Sequence, residues 1–284
     1  MGRMPAFRLG DGAAMAYADE GAGPPILLVH GWAAHGGFFD GLRTTLARTH
    51  RVLTPTLRGH PGSDAGGAPL TIETLADDIA QFVDALGLAS LTAIGWSMGA
   101  MVLWEAAPKL GARMRGIVVE EMGPRLVNDA TWRNGISGDY CVDDVDATLN
   151  EIRAGWAAYV ARFAPRMFAP GADPAVVTWT AAEMSRADPD AMASFWSSMA
   201  KQDFRATLAR IATPMLVIAG ADSQVYPDGA TAFVAHTAPH AERVIISGAG
   251  HVPHLEAQSA FIEHVEAFAR AARQPDSMGK GARP

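Results

Sequence analysis

The chain has 284 residues, of which 49% are hydrophobic and 19% are charged. This size and apolar content suit one large α/β domain or two smaller ones with a sizeable core. The formal net charge of −7, from 23 Lys and Arg against 30 Asp and Glu, argues against nucleic acid and anionic membranes as partners, because both favour a basic surface.

Cysteine usage and apolar run length limit the location. Cys141 is the only cysteine, so the chain cannot form an internal disulfide, which fits a reducing compartment. No apolar run reaches the roughly 18 residues of a membrane span. The N-terminal residues lack the long apolar segment of a secretory signal peptide. We therefore expect a cytoplasmic protein.

Strand and helix patterns alternate along the first 120 residues. The short, fully apolar run at 26–29 is typical of a strand that is buried on both faces of a parallel sheet. The clearest helix covers 71–86, where Thr71 can cap the start and Gly87 can end it. The pattern predicts strands at 13–18, 26–29, 52–54, 91–94 and 117–119, and helices at 38–49, 71–86 and 100–107.

The alternation stops after residue 120 and resumes near residue 204. Residues 121–203 are rich in Trp, Phe and Met and show a helical pattern without a buried strand, which predicts a helical cap over the carboxyl edge of the sheet. Beyond it, the pattern predicts strands at 215–219 and 243–246 and helices at 229–236 and 258–270.

The predicted fold class is α/β, with a doubly wound, mostly parallel sheet and an inserted helical cap. The predicted core comprises residues 1–120 and 204–273, and the cap comprises residues 121–203. Residues 274–284 are polar with Gly and Pro, which predicts a disordered tail.

The most informative motif is Gly95-Trp96-Ser97-Met98-Gly99, which lies between the predicted strand 91–94 and the predicted helix 100–107. A G-x-S-x-G sequence in this setting is typical of a nucleophile elbow, a tight turn that exposes a serine oxygen at a helix N-terminus. Ser97 is therefore the candidate nucleophile.

A serine nucleophile requires a base and an acid that orients the base. His251 follows the predicted strand 243–246 through a glycine-containing loop and is the candidate base. His254 is the competitor, but we expect it to start or flank the last helix. The two histidines do not have the spacing of a helical zinc pair and lack further ligands, so no metal site is expected.

The candidate acid is Asp222, which follows the predicted strand 215–219. The order serine, aspartate, histidine along the chain is the α/β-hydrolase order. Glu120 and Glu121, after the strand 117–119, are alternatives, and Asp228 is a weaker one. Two backbone N–H groups are expected to form the oxyanion hole, those of Met98 after the nucleophile and of Trp32 in the loop after an early strand.

With these motifs, and with His30-Gly31-Trp32, the run 58–64 (Arg-Gly-His-Pro-Gly-Ser-Asp) and Gly220-Ala221-Asp222, the chain resembles an α/β-hydrolase over roughly residues 10–272. The tryptophans after His-Gly and before the nucleophile make it similar to pimeloyl-acyl-carrier-protein methyl ester esterases. The resemblance implies that Trp32, Trp96 and Phe163 bind the substrate. Two positions depart from the family pattern: Thr56 replaces an acidic residue, and Glu256 is not followed by the usual proline two residues on.

These observations predict a serine carboxylic-ester hydrolase that acts on a small to medium apolar acyl ester through an acyl-enzyme, without a cofactor or metal. The expected partner is therefore a small-molecule ester. The same triad also serves acyl-homoserine lactonases, carbon–carbon bond hydrolases and perhydrolases. A non-catalytic small-molecule receptor is the alternative outside the enzymes.

Overall fold

The computed structural model describes residues 5–272, which form one eight-stranded sheet with helices packed against it and a helical segment inserted between two of its strands. The strands are β1 (Ala6–Arg8), β2 (Ala14–Glu20), β3 (Pro25–Val29), β4 (Arg51–Pro55), β5 (Leu91–Trp96), β6 (Met114–Glu120), β7 (Met215–Gly220) and β8 (Ala241–Ile246). The helices are α1 (Asp40–Leu46), α2 (Ile72–Ala85), α3 (Met98–Leu110), α4 (Val145–Ala154), α5 (Trp156–Arg166), α6 (Pro174–Met184), α7 (Pro189–Lys201), α8 (Arg205–Leu208), α9 (Asp228–Thr237), α10 (Pro253–Glu256) and α11 (Gln258–Ala271). Short 3-10 helices occupy 36–39, 111–113 and 142–144.

The strand order is β1-β2-β4-β3-β5-β6-β7-β8, and the six strands from β3 to β8 are mutually parallel. β1 and β2 run antiparallel at one edge. The predicted α/β fold with a mostly parallel sheet is therefore confirmed. The sequence pattern missed β1, because three residues with two exposed side chains give no usable periodicity.

Local rules account for where the main elements lie. Ile26, Leu27, Leu28 and Val29 are fully buried in β3, as a run that is apolar on both faces requires. Thr71 caps α2, where its hydroxyl accepts a hydrogen bond from the N–H of Thr74 at 3.3 Å.

The inserted segment connects β6 to β7 and carries the four helices α4 to α7. Its two ends lie side by side, since the N–H of Phe204 donates to the carbonyl of Pro124 at 2.9 Å. We refer to residues 121–203 as the cap. The tail predicted at 274–284 lies outside the described residues.

Arg58, from the motif at 58–64, forms a buried ion-pair cluster with Asp78 and Asp11. Its guanidinium binds both carboxylate oxygens of Asp78, at 2.7 and 2.9 Å, and contacts Asp11 at 2.5 Å. Arg58 and Asp78 are each only 2% exposed. The guanidinium lowers the pKa of Asp11 below its usual range. The motif therefore holds a loop in place rather than contributing to chemistry.

Replacing Arg58 with methionine leaves the buried Asp78 carboxylate without its cation, so we expect the free energy of unfolding to fall by about 3–5 kcal/mol. Arg51 provides the control, because its pair with Asp19 is about 30% exposed on each side. Arg51→Met should cost about 1 kcal/mol or less. Urea denaturation measures both, and equal losses for the two variants would contradict the role of the buried pair.

Two buried histidines, His30 and His60, pack edge to face with ring centroids 4.8 Å apart. Burial lowers the pKa of His60 to about 4 and lowers that of His30 well below its ordinary value. Both rings are therefore neutral in the folded protein at neutral pH, whereas the unfolded chain binds protons below about pH 6.5.

Because the unfolded state binds more protons in this range, stability should fall as the pH decreases from about 6.5 towards 4. The slope should approach about 1.4 kcal/mol per pH unit for each histidine. Unfolding midpoints in urea across this pH range measure the effect. A His60→Gln variant should give a shallower dependence, and an unchanged slope in that variant would show that His60 is not a source of it.

Candidate active site

Ser97 occupies a strained turn between β5 and α3, with φ 52° and ψ −122°. The turn leaves no room for a side chain at Gly95 or Gly99. A Cβ atom on Gly99 would lie 2.1 Å from the carbonyl oxygen of Val29, and one on Gly95 would lie 2.6 Å from the backbone of Gly99 and Ala100. Strain of this kind persists only where the surrounding structure imposes it, and it is common at functional sites.

Ser97 and His251 line one small cavity between the sheet edge and the cap. The cavity volume is about 20 Å³, and its walls also include the three predicted substrate-binding residues Trp32, Trp96 and Phe163. On this measure a single water molecule needs about 10–15 Å³, so the cavity holds about one water. No direct hydrogen bond joins Ser97 and His251 in the described part of the chain, and such bonds often tighten only when substrate binds.

A buried carboxylate lies behind the His251 imidazole, and it belongs to Glu121. Oε2 of Glu121 is 3.5 Å from Nδ1 of His251, within ion-pair range but too long for a hydrogen bond, so Nδ1 has no partner among the described residues. Glu121 is only 2% exposed. Its oxygens accept hydrogen bonds from the N–H of Gly220 and the hydroxyl of Ser223, both at 2.8 Å.

The side chain of Asp222, the acid favoured by the sequence, does not point towards His251. Its side chain is exposed, and its carboxylate accepts a hydrogen bond from the N–H of Gly248 at 3.1 Å. The loop after β7 turns so that Gly220 and Ser223 face Glu121 while Asp222 faces solvent. Asp228 is also exposed and pairs with Arg243. In this structure Glu121, and not Asp222 as expected, is the carboxylate that lies near the His251 ring.

The two proposed oxyanion donors lie next to the serine. Met98 is the first residue of α3, where a backbone N–H has no acceptor within the helix. The loop that carries Trp32 touches Ser97 from the other side, since a Cβ atom on Gly31 would lie 3.2 Å from Cβ of Ser97. His30 holds this loop, with Nδ1 bonded to the Gly31 carbonyl at 2.8 Å and Nε2 accepting from the N–H of Leu57 at 2.9 Å.

The cap reaches the site through aromatic side chains around the Trp32 ring. Four cap rings meet it edge to face with centroids 5.0–5.9 Å away: Trp156, Tyr159, Phe163 and Trp196. The indole N–H of Trp32 donates to the carbonyl of Met192 at 2.9 Å, which ties the core loop to α7. The indole N–H of Trp96 donates to the carbonyl of His251 at 2.9 Å.

The chain is similar to known proteins over most of its length. A family model described as alpha/beta hydrolase fold matches residues 24–258. The chain belongs to the α/β-hydrolase family. A pimeloyl-[acyl-carrier protein] methyl ester esterase of Xanthomonas oryzae pv. oryzae is 27% identical over 235 residues, which cover 83% of this chain and 90% of that protein. The predicted resemblance to such esterases is thus confirmed.

Solved structures agree on the fold of this α/β-hydrolase. An esterase from Exiguobacterium antarcticum superposes with a TM-score of 0.88 at 20% identity, covering 94% of this chain and 99% of that one. An enol-lactonase from Burkholderia xenovorans gives a TM-score of 0.81 at 23% identity, covering 93% and 99%. The family match and the esterase relative support an enzyme of the hydrolase class.

A wider groove lies outside the cavity that Ser97 and His251 line. Its volume is about 720 Å³, and it shares Ile136, Phe163 and Trp196 with the cavity wall. These three side chains therefore separate the small cavity from an open groove. Arg166, an exposed cation at the end of α5, lies on the rim of the groove.

Several lining residues were not identified from the sequence: Leu126, Ile136, Val225 and Tyr226. Each lies in a loop whose path is set by long-range packing, so no local pattern marks it. Within residues 5–272, no group of three or more His, Cys, Asp or Glu side chains is arranged to hold a metal ion. Over the same residues, every helix is too short or too polar to cross a bilayer.

Proposed function

We propose that this α/β-hydrolase cleaves carboxylic esters by a serine mechanism, with Ser97 as nucleophile, His251 as base and Glu121 as the acid. The observation that carries the proposal is the common cavity of Ser97 and His251, with the buried Glu121 carboxylate behind Nδ1. The family match and the esterase relative support it independently.

In the proposed reaction, Nε2 of His251 accepts the proton of the Ser97 hydroxyl as the oxygen attacks the ester carbonyl. The N–H groups of Trp32 and Met98 stabilise the negative charge that develops on the carbonyl oxygen, each by about 3 kcal/mol. The protonated imidazole then donates its proton to the departing alcohol, leaving an acyl-enzyme.

Water completes the cycle. His251 accepts a proton from a water molecule as the water oxygen attacks the acyl carbonyl, and the imidazolium then donates that proton to the departing Ser97 oxygen, which releases the carboxylic acid and restores the free serine and the neutral imidazole. Glu121 stabilises the imidazolium in both halves of the reaction and fixes the proton on Nδ1. A shift of a few tenths of an ångström would shorten the 3.5 Å separation to a hydrogen bond.

The cavity wall supports an apolar acyl group as the substrate. Apart from Ser97, His251 and Tyr226, the lining side chains are aliphatic, thioether or aromatic, and the hydroxyl of Tyr226 is occupied by the sulfur of Met122 at 3.4 Å. No Asp, Glu, Lys or Arg side chain contributes to this wall. We therefore favour a small to medium apolar acyl ester over a sugar or phosphate substrate.

Hydrolysis of p-nitrophenyl esters from C2 to C12, with an acyl-homoserine lactone alongside, tests the proposal. We expect turnover of short and medium esters that saturates with substrate. Absence of turnover across the whole series, together with no reaction of Ser97 with a fluorophosphonate, would contradict an esterase and favour a binding protein.

Phe163 provides a test of the acyl pocket, because it forms part of the wall between the cavity and the groove. Replacing Phe163 with alanine removes one ring from this wall. We expect kcat/KM for C8 to C12 esters to rise about tenfold relative to C2, since each additional buried CH₂ contributes about 0.8 kcal/mol. Trp179→Ala on the exposed cap surface is the control, and an identical chain-length profile for Phe163→Ala would place the acyl group elsewhere.

A further inference from the structure

A second buried carboxylate–imidazole pair lies beside the proposed triad. Oε1 of Glu120 accepts hydrogen bonds from the backbone N–H of His254 at 2.9 Å and from its Nδ1 at 2.8 Å. Both side chains are fully buried. The remaining polar atoms, Oε2 of Glu120 and Nε2 of His254, have no hydrogen-bond partner among the described residues.

Stability alone does not explain this pair. Buried polar atoms without partners are unfavourable, and apolar side chains of similar volume often replace a buried ion pair without loss of stability. The surroundings would accept such a replacement, because the His254 ring packs on Phe39, Trp96 and Phe261. The placement of the pair therefore requires another explanation.

Two consecutive carboxylates at the end of β6 face the two histidines. Glu120 and Glu121 are consecutive, and Glu121 has the left-handed backbone conformation, with φ 48°. Because of this turn, the carboxylate of Glu121 faces His251 and the carboxylate of Glu120 faces His254. His254 lies three residues after His251, in α10.

Glu120 also contacts the nucleophile through its main chain. Its carbonyl accepts a hydrogen bond from the N–H of Ser97 at 2.9 Å. Trp96 closes the connection, because its indole N–H binds the His251 carbonyl at 2.9 Å and its ring meets that of His254 edge to face at 5.0 Å. The elbow, the end of β6 and the histidine loop are thus joined by direct hydrogen bonds.

We propose that Glu120 and His254 are positioning residues, which fix the backbone of the His251 loop relative to Ser97 so that the imidazole reaches the serine hydroxyl. The inference rests on the proposed function, since it assigns these residues a role in the same triad. A displacement of the imidazole by about 1 Å would lower the rate about 10²-fold.

Two substitutions of Glu120 separate hydrogen bonding from charge. In Glu120→Gln, the amide oxygen can still accept from both donors of His254, so kcat should stay within about threefold of the wild type. Glu120→Asp keeps the carboxyl group but shortens the side chain by one methylene and moves the acceptor away from its donors. We expect kcat to fall at least tenfold in Glu120→Asp, with KM unchanged.

A double variant, Glu120→Leu with His254→Phe, removes both side chains of the pair and leaves the backbone N–H of residue 254 without its acceptor. We expect a lower Tm, because a buried N–H without an acceptor is unfavourable, together with an unchanged KM and a kcat that falls about 10–100-fold because the loop is released. A folded double variant with wild-type kcat would overturn the proposal. Should the double variant not fold, equal kcat in Glu120→Asp, Glu120→Gln and the wild type would overturn it instead.

The rate at which a fluorophosphonate labels Ser97 is the second measurement, and it should fall in parallel with kcat. This readout separates the two proposals. A wild-type protein that neither turns over esters nor reacts with the probe refutes the proposed function itself. A reactive wild type whose labelling rate is unaffected by Glu120→Asp and by the double variant refutes only the positioning role.

Discussion

Replacing Glu121 with glutamine should lower kcat about 10³–10⁴-fold and leave KM nearly unchanged. Glutamine has almost the same shape, so the cavity wall stays intact, but it lacks the charge that stabilises the imidazolium and favours the proton on Nδ1. Initial rates with a short p-nitrophenyl ester over a range of substrate concentrations measure both constants.

Asp222→Asn is the matched control for Glu121→Gln. Asp222 is exposed and binds only the N–H of Gly248 through its carboxylate, and an asparagine oxygen can accept the same bond. We expect Asp222→Asn to keep kcat within about threefold of the wild type. A large loss of kcat in Asp222→Asn, with little loss in Glu121→Gln, would show that Asp222 is the triad acid, as the order along the sequence suggests.

Replacing Ser97 with alanine should reduce kcat by about 10⁶-fold, because no other hydroxyl can form the acyl-enzyme. Fluorophosphonate labelling should be lost together with ester turnover. Mass spectrometry of the wild-type protein should locate the label on Ser97. The Tm of the variant should be close to that of the wild type, since alanine keeps the backbone and removes only one oxygen.

Ser247→Ala serves as the control for Ser97→Ala, since Ser247 is an exposed serine in the loop that leads to His251. It should label and turn over ester like the wild type. Ester turnover that survives Ser97→Ala at a comparable rate would exclude the serine mechanism, whatever the fate of the label.

Several features follow from local sequence rules because their causes are local. The elbow needs glycine two residues before and two residues after Ser97, because a Cβ atom on Gly95 or Gly99 would overlap backbone atoms. Thr71 caps α2 through its own hydroxyl, and the apolar run of β3 is buried on both faces. The fold class and the elbow turn could therefore be predicted from neighbouring residues alone.

The position of His251 could be predicted from the sequence, but its carboxylate partner could not. His251 follows a strand end by a short loop, so the sequence placed it at the correct edge of the sheet. Its partner was harder to predict, because Asp222, Glu120 and Glu121 all follow strands that end at that edge. Strand order says which loops meet there, but it does not say which side chain of each loop turns inward.

Only the tertiary structure shows which of these carboxylates lies near His251. Glu121 faces His251 because its backbone has a left-handed conformation that could not be predicted from the sequence. In addition, the N–H of Gly220 and the hydroxyl of Ser223 donate hydrogen bonds to its carboxylate. The small cavity depends likewise on cap rings that contact Trp32 from far along the chain. The sequence by itself determined the parallel strands, the elbow turn and the edge of the sheet at which His251 lies, since each follows from short-range sterics and periodicity. The carboxylate that lies near His251 and the shape of the pocket arise from contacts between distant segments, which no local pattern encodes.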